Sequence, residues 1–240
     1  MVNKNEIYIE ISNLNVKYGD DVALNDINLV IPKGEVTAIL GLSGVGKTTL
    51  LNAIAGIIDY SGEILLDGQN IKVKDPLVGY VGQDFGSLEW KTVKKNIQLG
   101  RKIKKQKEES SDFKRIVDVL DIKKYLKRYP NSLSGGQKQR VKIAAVFYLM
   151  PDIMLLDEPF AGLDVITRDE SQNLLHELNV EYHPTVLLVT HDYNEALYLG
   201  DRIAVFSQSE IHTFESEKIN KTSKENLKKE ILDMMKGEAF

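Results

Sequence analysis

The chain has no cysteine among its 240 residues. A disulfide framework and a thiolate metal site are both excluded. Long hydrophobic runs are missing too. The longest, Ile143 to Met150, is far too short to cross a bilayer. Met1 to Glu6 lacks the apolar core of a signal peptide, so none is expected. An excess of positive charge is also absent. The net charge is −4, and no general nucleic-acid partner is expected. What remains is 42% hydrophobic and 28% charged, the balance of a soluble globular protein. This length buries a large core, as one domain or one core with a subdomain. The expected place is the cytosol, or a membrane surface reached through a partner.

The apolar pattern alternates between strand and helix. Strands are expected at Ile7 to Leu14, Ile27 to Ile31, Val36 to Leu40, Glu63 to Leu66, Val78 to Val81, Ile153 to Leu156, Val186 to Val189 and Arg202 to Phe206. Turns fall at residues 18–21 and 207–209. From Leu88 to Met150 the strand signal disappears. Helical spacing takes over at Thr92 to Leu99, Ser111 to Leu120 and Gly135 to Leu149. Further helices are expected at Arg168 to Val180 and at Tyr193 to Leu199, the latter with Asp192 as N-cap. This predicts an α/β core of mostly parallel strands with helices on both faces and a helical insert at about 88–150. One domain is expected over 1–210. A short tail, 211–240, would carry a surface amphipathic helix at 224–236.

Gly41-Leu42-Ser43-Gly44-Val45-Gly46-Lys47-Thr48-Thr49 fits the phosphate-binding P-loop, and it lies between a predicted strand and a predicted helix. Glycines let backbone N–H groups curl round phosphate oxygens, and the helix start adds partial positive charge. Lys47 brings a full charge to the β- and γ-phosphates. The Thr48 hydroxyl is placed to ligate Mg²⁺. Downstream, four apolar residues, Ile153 to Leu156, deliver Asp157 and Glu158 to the end of a buried strand. Asp157 is expected in the Mg²⁺ shell. Glu158 is suited to act as general base on the attacking water.

Leu133-Ser134-Gly135-Gly136-Gln137 opens another helix, with Ser134 as N-cap. One reading is an ordinary glycine-rich cap. The other is a second anion site, which a single P-loop would need only if two copies met head to tail, each completing the other's site.

Leu133 to Gln137 resembles the signature of the ATP-binding-cassette (ABC) ATPases, whose fold is a RecA-like P-loop core with an N-terminal antiparallel β-subdomain and an inserted helical subdomain. Other motifs of that family follow in order. Tyr18 resembles the aromatic residue that stacks on adenine. Gln83 sits where the family's Q-loop glutamine reaches Mg²⁺ or the water. Ala161 to Asp164 resembles the D-loop, and His191 the switch histidine near the γ-phosphate. The resemblance spans roughly Ile7 to Phe206. It implies a homodimer that sandwiches two ATP molecules with Mg²⁺ and moves a partner on hydrolysis. It implies Glu158, His191 and Gln83 in catalysis. Tyr18, Gly41, Ser43, Gly44, Gly46, Lys47, Thr48 and Thr49 are implied on one face of the nucleotide. Ser134, Gly135, Gly136, Gln137 and Asp164 are implied in nucleotide binding too, with Ser134 and Gly136 serving the site of the second copy.

A cassette without membrane spans, coiled coil or second cassette resembles the free-standing subunits that dock onto integral membrane permeases and serve a substrate-binding protein. The place implied is the cytoplasmic face of the membrane. Leu88 to Val93 and Thr190 to Arg202 resemble the nitrate/sulfonate/taurine-type importer branch, which also includes importers of pyrimidine precursors. Two departures stand: Glu89 replaces an expected proline, and residues 84–87 are unfamiliar. A cassette acting on an envelope or cell-division complex is the alternative. A GTPase fits poorly, for no N-K-x-D is present. Trp90 reads either as a core aromatic or as the wall of a docking groove. The basic run Arg101 to Lys107 reads as a solvated linker, or as an attraction to anionic lipid. The tail after Phe214 predicts no added regulatory domain.

Overall fold

A computed structural model describes residues 7–82, 87–207, 211–214 and 224–235. The chain divides into two units, residues 1–77 with 185–240 and residues 78–184.

The first unit begins with a long antiparallel hairpin, β1 (Ile7–Tyr18) and β2 (Asp21–Pro32). Both strands outrun their expected lengths. Register shifts along the pair absorb the polar residues that masked the alternation. Asn13 and Asp26 take left-handed backbone at φ 50 and 52. Asn13 Nδ2 donates to Asp26 Oδ1, and the Asp26 N–H donates to Asn15 Oδ1. The polar side chains thus satisfy the bulged backbone while Ile9, Ile11, Leu14 and Val16 stay buried on the other side of the pleat. β4 (Ser61–Leu66) pairs antiparallel with β1, and β5 (Gln69–Asn70) with β4. A short helix, α2 (Ile71–Lys74), follows.

β3 (Val36–Gly41) is buried along its whole length. It runs parallel to β8 (Val186–Thr190) on one side and to β9 (Arg202–Phe206) on the other. Strands buried on both faces read as continuous apolar runs, which is how these appear in the sequence. α1 (Lys47–Ile54) leaves β3, and α7 (Tyr193–Leu199) leaves β8. The other end of the strands is pinned by polar contacts. The Val36 N–H donates to Asp201 Oδ2 at 2.8 Å, and Arg202 Nε donates to Glu35 Oε2 at 2.8 Å.

The described parts of the expected tail, 211–214 and 224–235, pack onto the core. β10 (Ile211–Phe214) pairs antiparallel with β9. α8 (Lys224–Met235) buries Leu227 and Ile231 against Ala38, Leu40, Ala196, Val205 and Phe214. The four-residue spacing puts both side chains on one face, where each stabilises by about 1.5–3 kcal/mol. Residues 208, 209 and 236, on which part of the expected turn and helix fell, lie outside the described residues.

In the second unit β6 (Val78–Val81) runs parallel to β7 (Ile153–Asp157). Between them come α3 (Val93–Ile103), α4 (Ser110–Val119) and α5 (Gly135–Leu149). After β7 comes α6 (Val165–Tyr182). Side-chain capping starts α3, α5 and α6 at defined residues. Thr92 Oγ1 accepts from the Lys95 N–H, Ser134 from Gln137 and Asp164 from Thr167. α5 ends at Met150, φ 50, just before Pro151, and α6 ends at His183, φ 45, just before Pro184. No helix among the described residues is long and apolar enough to cross a membrane.

Candidate functional site

Steric demand builds the P-loop. β3 delivers Gly41, where an added Cβ would lie 2.9 Å from the Phe206 carbonyl oxygen and 3.0 Å from Val45 Cγ1. Gly46 is held more tightly. Its φ of 105 is a conformation that favours glycine, and a Cβ there would stand 2.6 Å from Leu24 Cδ2. α1 then starts with no side-chain cap, so its first turn presents backbone to the loop. Lys47 is buried, and its Nζ donates to the carbonyl oxygens of Gly41 and Leu42, both at 2.8 Å. The ammonium is thereby held inside the loop's own curve. Glycine backbone, a helix start and one buried cation at a single turn fit a polyphosphate. Ser43, Gly44 and Thr48 are exposed at this turn, and Thr49 is half-buried.

Parallel pairing sets a second residue level with the loop. Leu40 lies opposite Thr190, so Gly41 and His191 leave adjacent strands at the same rung. His191 is exposed, and the turn that carries it is stiff. The Asp192 N–H donates to Thr190 Oγ1 at 3.0 Å, while Asp192 Oδ1 accepts from Asn194 and Glu195 to cap α7. Tyr18 ends β1 at the hairpin tip, opposite Asp21 and 53% exposed. The same hairpin supplies Leu24, the neighbour of Gly46. The structure therefore gathers Tyr18, residues 41–49 and His191 into the first unit.

The second unit holds the acidic pair and the Ser134 helix. Asp157 closes β7 and is only 6% exposed. Tyr80 on β6 donates its hydroxyl to Asp157 Oδ2 at 3.4 Å. Burial first, and then the Asp157 charge, push the Tyr80 hydroxyl well above its usual pKa. Glu158 follows with φ 45 and precedes Pro159. A left-handed non-glycine residue costs on the order of 1–3 kcal/mol and turns this side chain off the strand direction. Asp157 and Glu158 thus point from one junction by different backbone conformations.

Ser134 Oγ accepts from the Gln137 N–H while Gln137 Oε1 accepts from the Ser134 N–H, a complete capping box. Gln137 Nε2 also donates to the Tyr125 hydroxyl at 2.9 Å. Ser134 and Gly135 are exposed, whereas Gly136 is buried against α6. A Cβ on Gly136 would stand 2.3 Å from Thr167 Cγ2. Asp164 caps α6, and the Thr167 N–H holds its carboxyl below the usual carboxylate range. Gln83 and residues 84–86 lie outside the described residues. Among the described residues no group of three or more His, Cys, Asp or Glu could hold a metal. Asp157 offers a carboxylate and Thr48 a hydroxyl, hard oxygen donors of the kind that Mg²⁺ takes.

Several contacts were not legible as motifs. Asn96 is buried and ties residues 88–92. Its Oδ1 accepts from the Leu88 N–H at 2.7 Å, and its Nδ2 reaches the carbonyls of Leu88, Lys91 and Thr92. Trp90, on that tied segment, is 73% exposed, which overturns the core-aromatic reading. A cavity of about 330 Å³ lies within the unit, lined by Tyr80, Leu88, Asn96, Leu99, Ile103 and Val146 among others. Trp90 is not part of its wall. The basic run is not uniform either. Arg101 is buried, donates to the carbonyls of Tyr148 and Lys107, and lies over the Tyr148 ring; Lys102, Lys104, Lys105 and Lys107 are exposed. A lone polar residue at a helical core position, as Asn96 and Arg101 are, was the available signal.

Comparison with known proteins identifies the family and the fold. Residues 24–161 match the ABC transporter family. The chain is 39% identical over 209 residues to the sulfate/thiosulfate import ATP-binding protein CysA of Mycobacterium tuberculosis, covering 85% of this chain and 60% of that protein. The protein of that name in Bacillus cereus is 41% identical over 216 residues, with the same coverage. The chain thus spans about 60% of the length of these curated relatives. Among solved structures, a dimeric bacterial ABC transporter cassette is 31% identical with a TM-score of 0.74, covering 87% of this chain and 98% of that one. The protein cbiO1 of Clostridium perfringens, part of the transporter complex cbiONQ, is 31% identical with a TM-score of 0.78, covering 95% of each. The fold is the P-loop NTPase α/β fold with an antiparallel N-terminal sheet, and the chain belongs to the ABC transporter family.

Proposed function

We propose that this chain is the ATP-hydrolysing subunit of an ABC importer, acting as a head-to-tail pair on the cytoplasmic face of the membrane. The observation that carries this reading is the exposed, capped helix start at Ser134, which can serve as a second anion site in a chain with one P-loop. In this reading residues 1–210 are one ATPase domain with a helical insert at about 88–150, and 211–240 is a short C-terminal tail that packs back onto it.

Each residue then has a task. Lys47 neutralises the β- and γ-phosphates, and the glycine backbone from Gly41 to Gly46 orients them. Tyr18 stacks on adenine. Thr48 and Asp157 are the residues that would hold Mg²⁺, and Gln83 would serve the same cation. When bound, Mg²⁺ draws charge from the phosphate oxygens. Glu158 accepts a proton as a water oxygen bonds to the γ-phosphorus and the bond to the β,γ-bridging oxygen breaks, releasing ADP and phosphate. His191 hydrogen-bonds the γ-phosphate side of the site. Ser134, Gly135 and Asp164 of a second copy close over it, and release after hydrolysis returns the pair to its open form.

The solute is a small oxyanion. Two likenesses support this: the relatives named for sulfate and thiosulfate import, and the segments 88–93 and 190–202, which resemble the nitrate/sulfonate/taurine-type branch. A permease and a substrate-binding protein complete the machine. Purification of the tagged chain from membranes tests this. A multi-span partner together with a binding protein that takes up sulfate-like anions supports the reading, and a single-span partner sinks it.

A further inference from the structure

The second unit holds a partner for Asp157 that no motif singles out. β6 and β7 are in register with Tyr80 opposite Leu155, two residues short of Asp157. The long phenolic side chain spans that offset, and its hydroxyl donates to Asp157 Oδ2 at 3.4 Å. The preceding residue permits the placement. A Cβ on Gly79 would stand 2.7 Å from Val146 Cγ1 and 2.9 Å from Pro151 Cγ, so only glycine lets β6 lie this close to α5. Asp157 is almost wholly buried, with little water to compete for its oxygens. A donor from the protein therefore has a large say in how that carboxylate is turned. Tyr80 also lines the cavity of the unit, so the same side chain meets the cavity and the carboxylate.

We infer that Tyr80 is a positioning residue for the magnesium carboxylate. By occupying one oxygen of Asp157 it fixes the orientation in which the carboxylate meets the cation. The inference rests on the reading of Asp157 as part of the Mg²⁺ shell. Partners of this kind typically change metal affinity by roughly ten- to a hundredfold, and the length of this hydrogen bond points to the lower end.

The test uses the full chain in a Glu158→Gln background, so that ATP is not consumed. Two quantities are measured by thermal shift: ATP affinity with the metal chelated, and the Mg²⁺ concentration at half-saturation with ATP in excess. Tyr80→Phe keeps the ring and removes the donor. It should leave metal-free ATP affinity unchanged and raise the Mg²⁺ midpoint about tenfold. Tyr80→Met, of similar volume, should give the same shift. With Asp157→Asn also present, Tyr80→Phe should add nothing. An unchanged Mg²⁺ midpoint in both variants overturns the inference, as does an equal loss of ATP affinity with and without metal. A Mg²⁺ midpoint that Asp157→Asn alone does not move sinks the reading of Asp157 and this inference with it.

Discussion

Gly136 lies so close to Thr167 that a single added carbon would stand 2.3 Å from the threonine methyl group. Thr167 has little room to give way. Its N–H is committed to Asp164 Oδ1 at 3.1 Å, and its carbonyl accepts from Ser171 Oγ at 2.7 Å. The start of α5, which carries Ser134, is thus locked to the start of α6, which carries Asp164. Gly136→Ala should destabilise the fold by about 1–3 kcal/mol, the usual cost of overpacking. Thr167→Ser removes the methyl group and keeps the hydroxyl. It should recover much of the loss, and a double-mutant cycle in urea measures the coupling.

The P-loop makes a sharper demand on Gly46 than on Gly44. Both are left-handed, but space is short only at Gly46, where Leu24 and the Ala23 carbonyl close in. Gly46→Ala should abolish ATP binding at concentrations that saturate the wild type, with Gly44→Ala milder. Lys47→Ala should also lose binding, because the buried ammonium goes with it. Titration with a fluorescent ATP analogue separates the three.

If Glu158 takes the proton from water, Glu158→Gln should bind ATP normally and hydrolyse it at least about a hundredfold more slowly. It should then accumulate as an ATP-bound dimer, visible by light scattering. Adding Ser134→Arg should return it to monomer without weakening ATP binding to each copy. A dimer that persists would contradict the role of Ser134 in closing the partner's site.

α8 is a structural element of the first unit. Leu227→Ala should cost about 2–5 kcal/mol, the range for emptying a fully buried leucine site, and Ile231→Ala a similar amount. Leu232→Ala, on the exposed face, should cost little. Chemical denaturation of the three variants provides the comparison.

Asn96 holds the segment that carries Trp90, the chain's single tryptophan. Asn96→Ala removes the side-chain partner of the Leu88 N–H and the Lys91 carbonyl, at about 1–3 kcal/mol for a buried polar group. Fluorescence anisotropy of Trp90 should fall while the P-loop keeps its ATP affinity. Unchanged anisotropy would show that the segment is rigid for another reason.

Much of this was legible in the sequence. α5 and α7 begin and end where periodicity and capping residues placed them, because Ser134 and Asp192 are helix starters that act within three residues. β3 and β7 were readable as unbroken apolar runs. The hairpin was under-read, since its bulges are satisfied by side chains from the opposite strand, a relation no local pattern carries. α8 was taken for a surface helix. Its apolar spacing is sparse, and only the face of β3 and β9 that Leu227 and Ile231 cover shows where that spacing belongs.

The sequence by itself determined the chemistry available: glycines and one lysine at a strand-to-helix turn, an acidic pair at a strand end, and a capped Ser-Gly-Gly helix start. These are local, because phosphate cradles and helix caps are built from consecutive backbone groups. Tertiary structure alone decided the remaining contacts. It set His191 level with Gly41 through parallel pairing, pressed Gly136 onto Thr167 and brought the Tyr80 hydroxyl to Asp157. Those relations join residues far apart in the chain, and they follow from strand register and close packing, which no short stretch of sequence specifies.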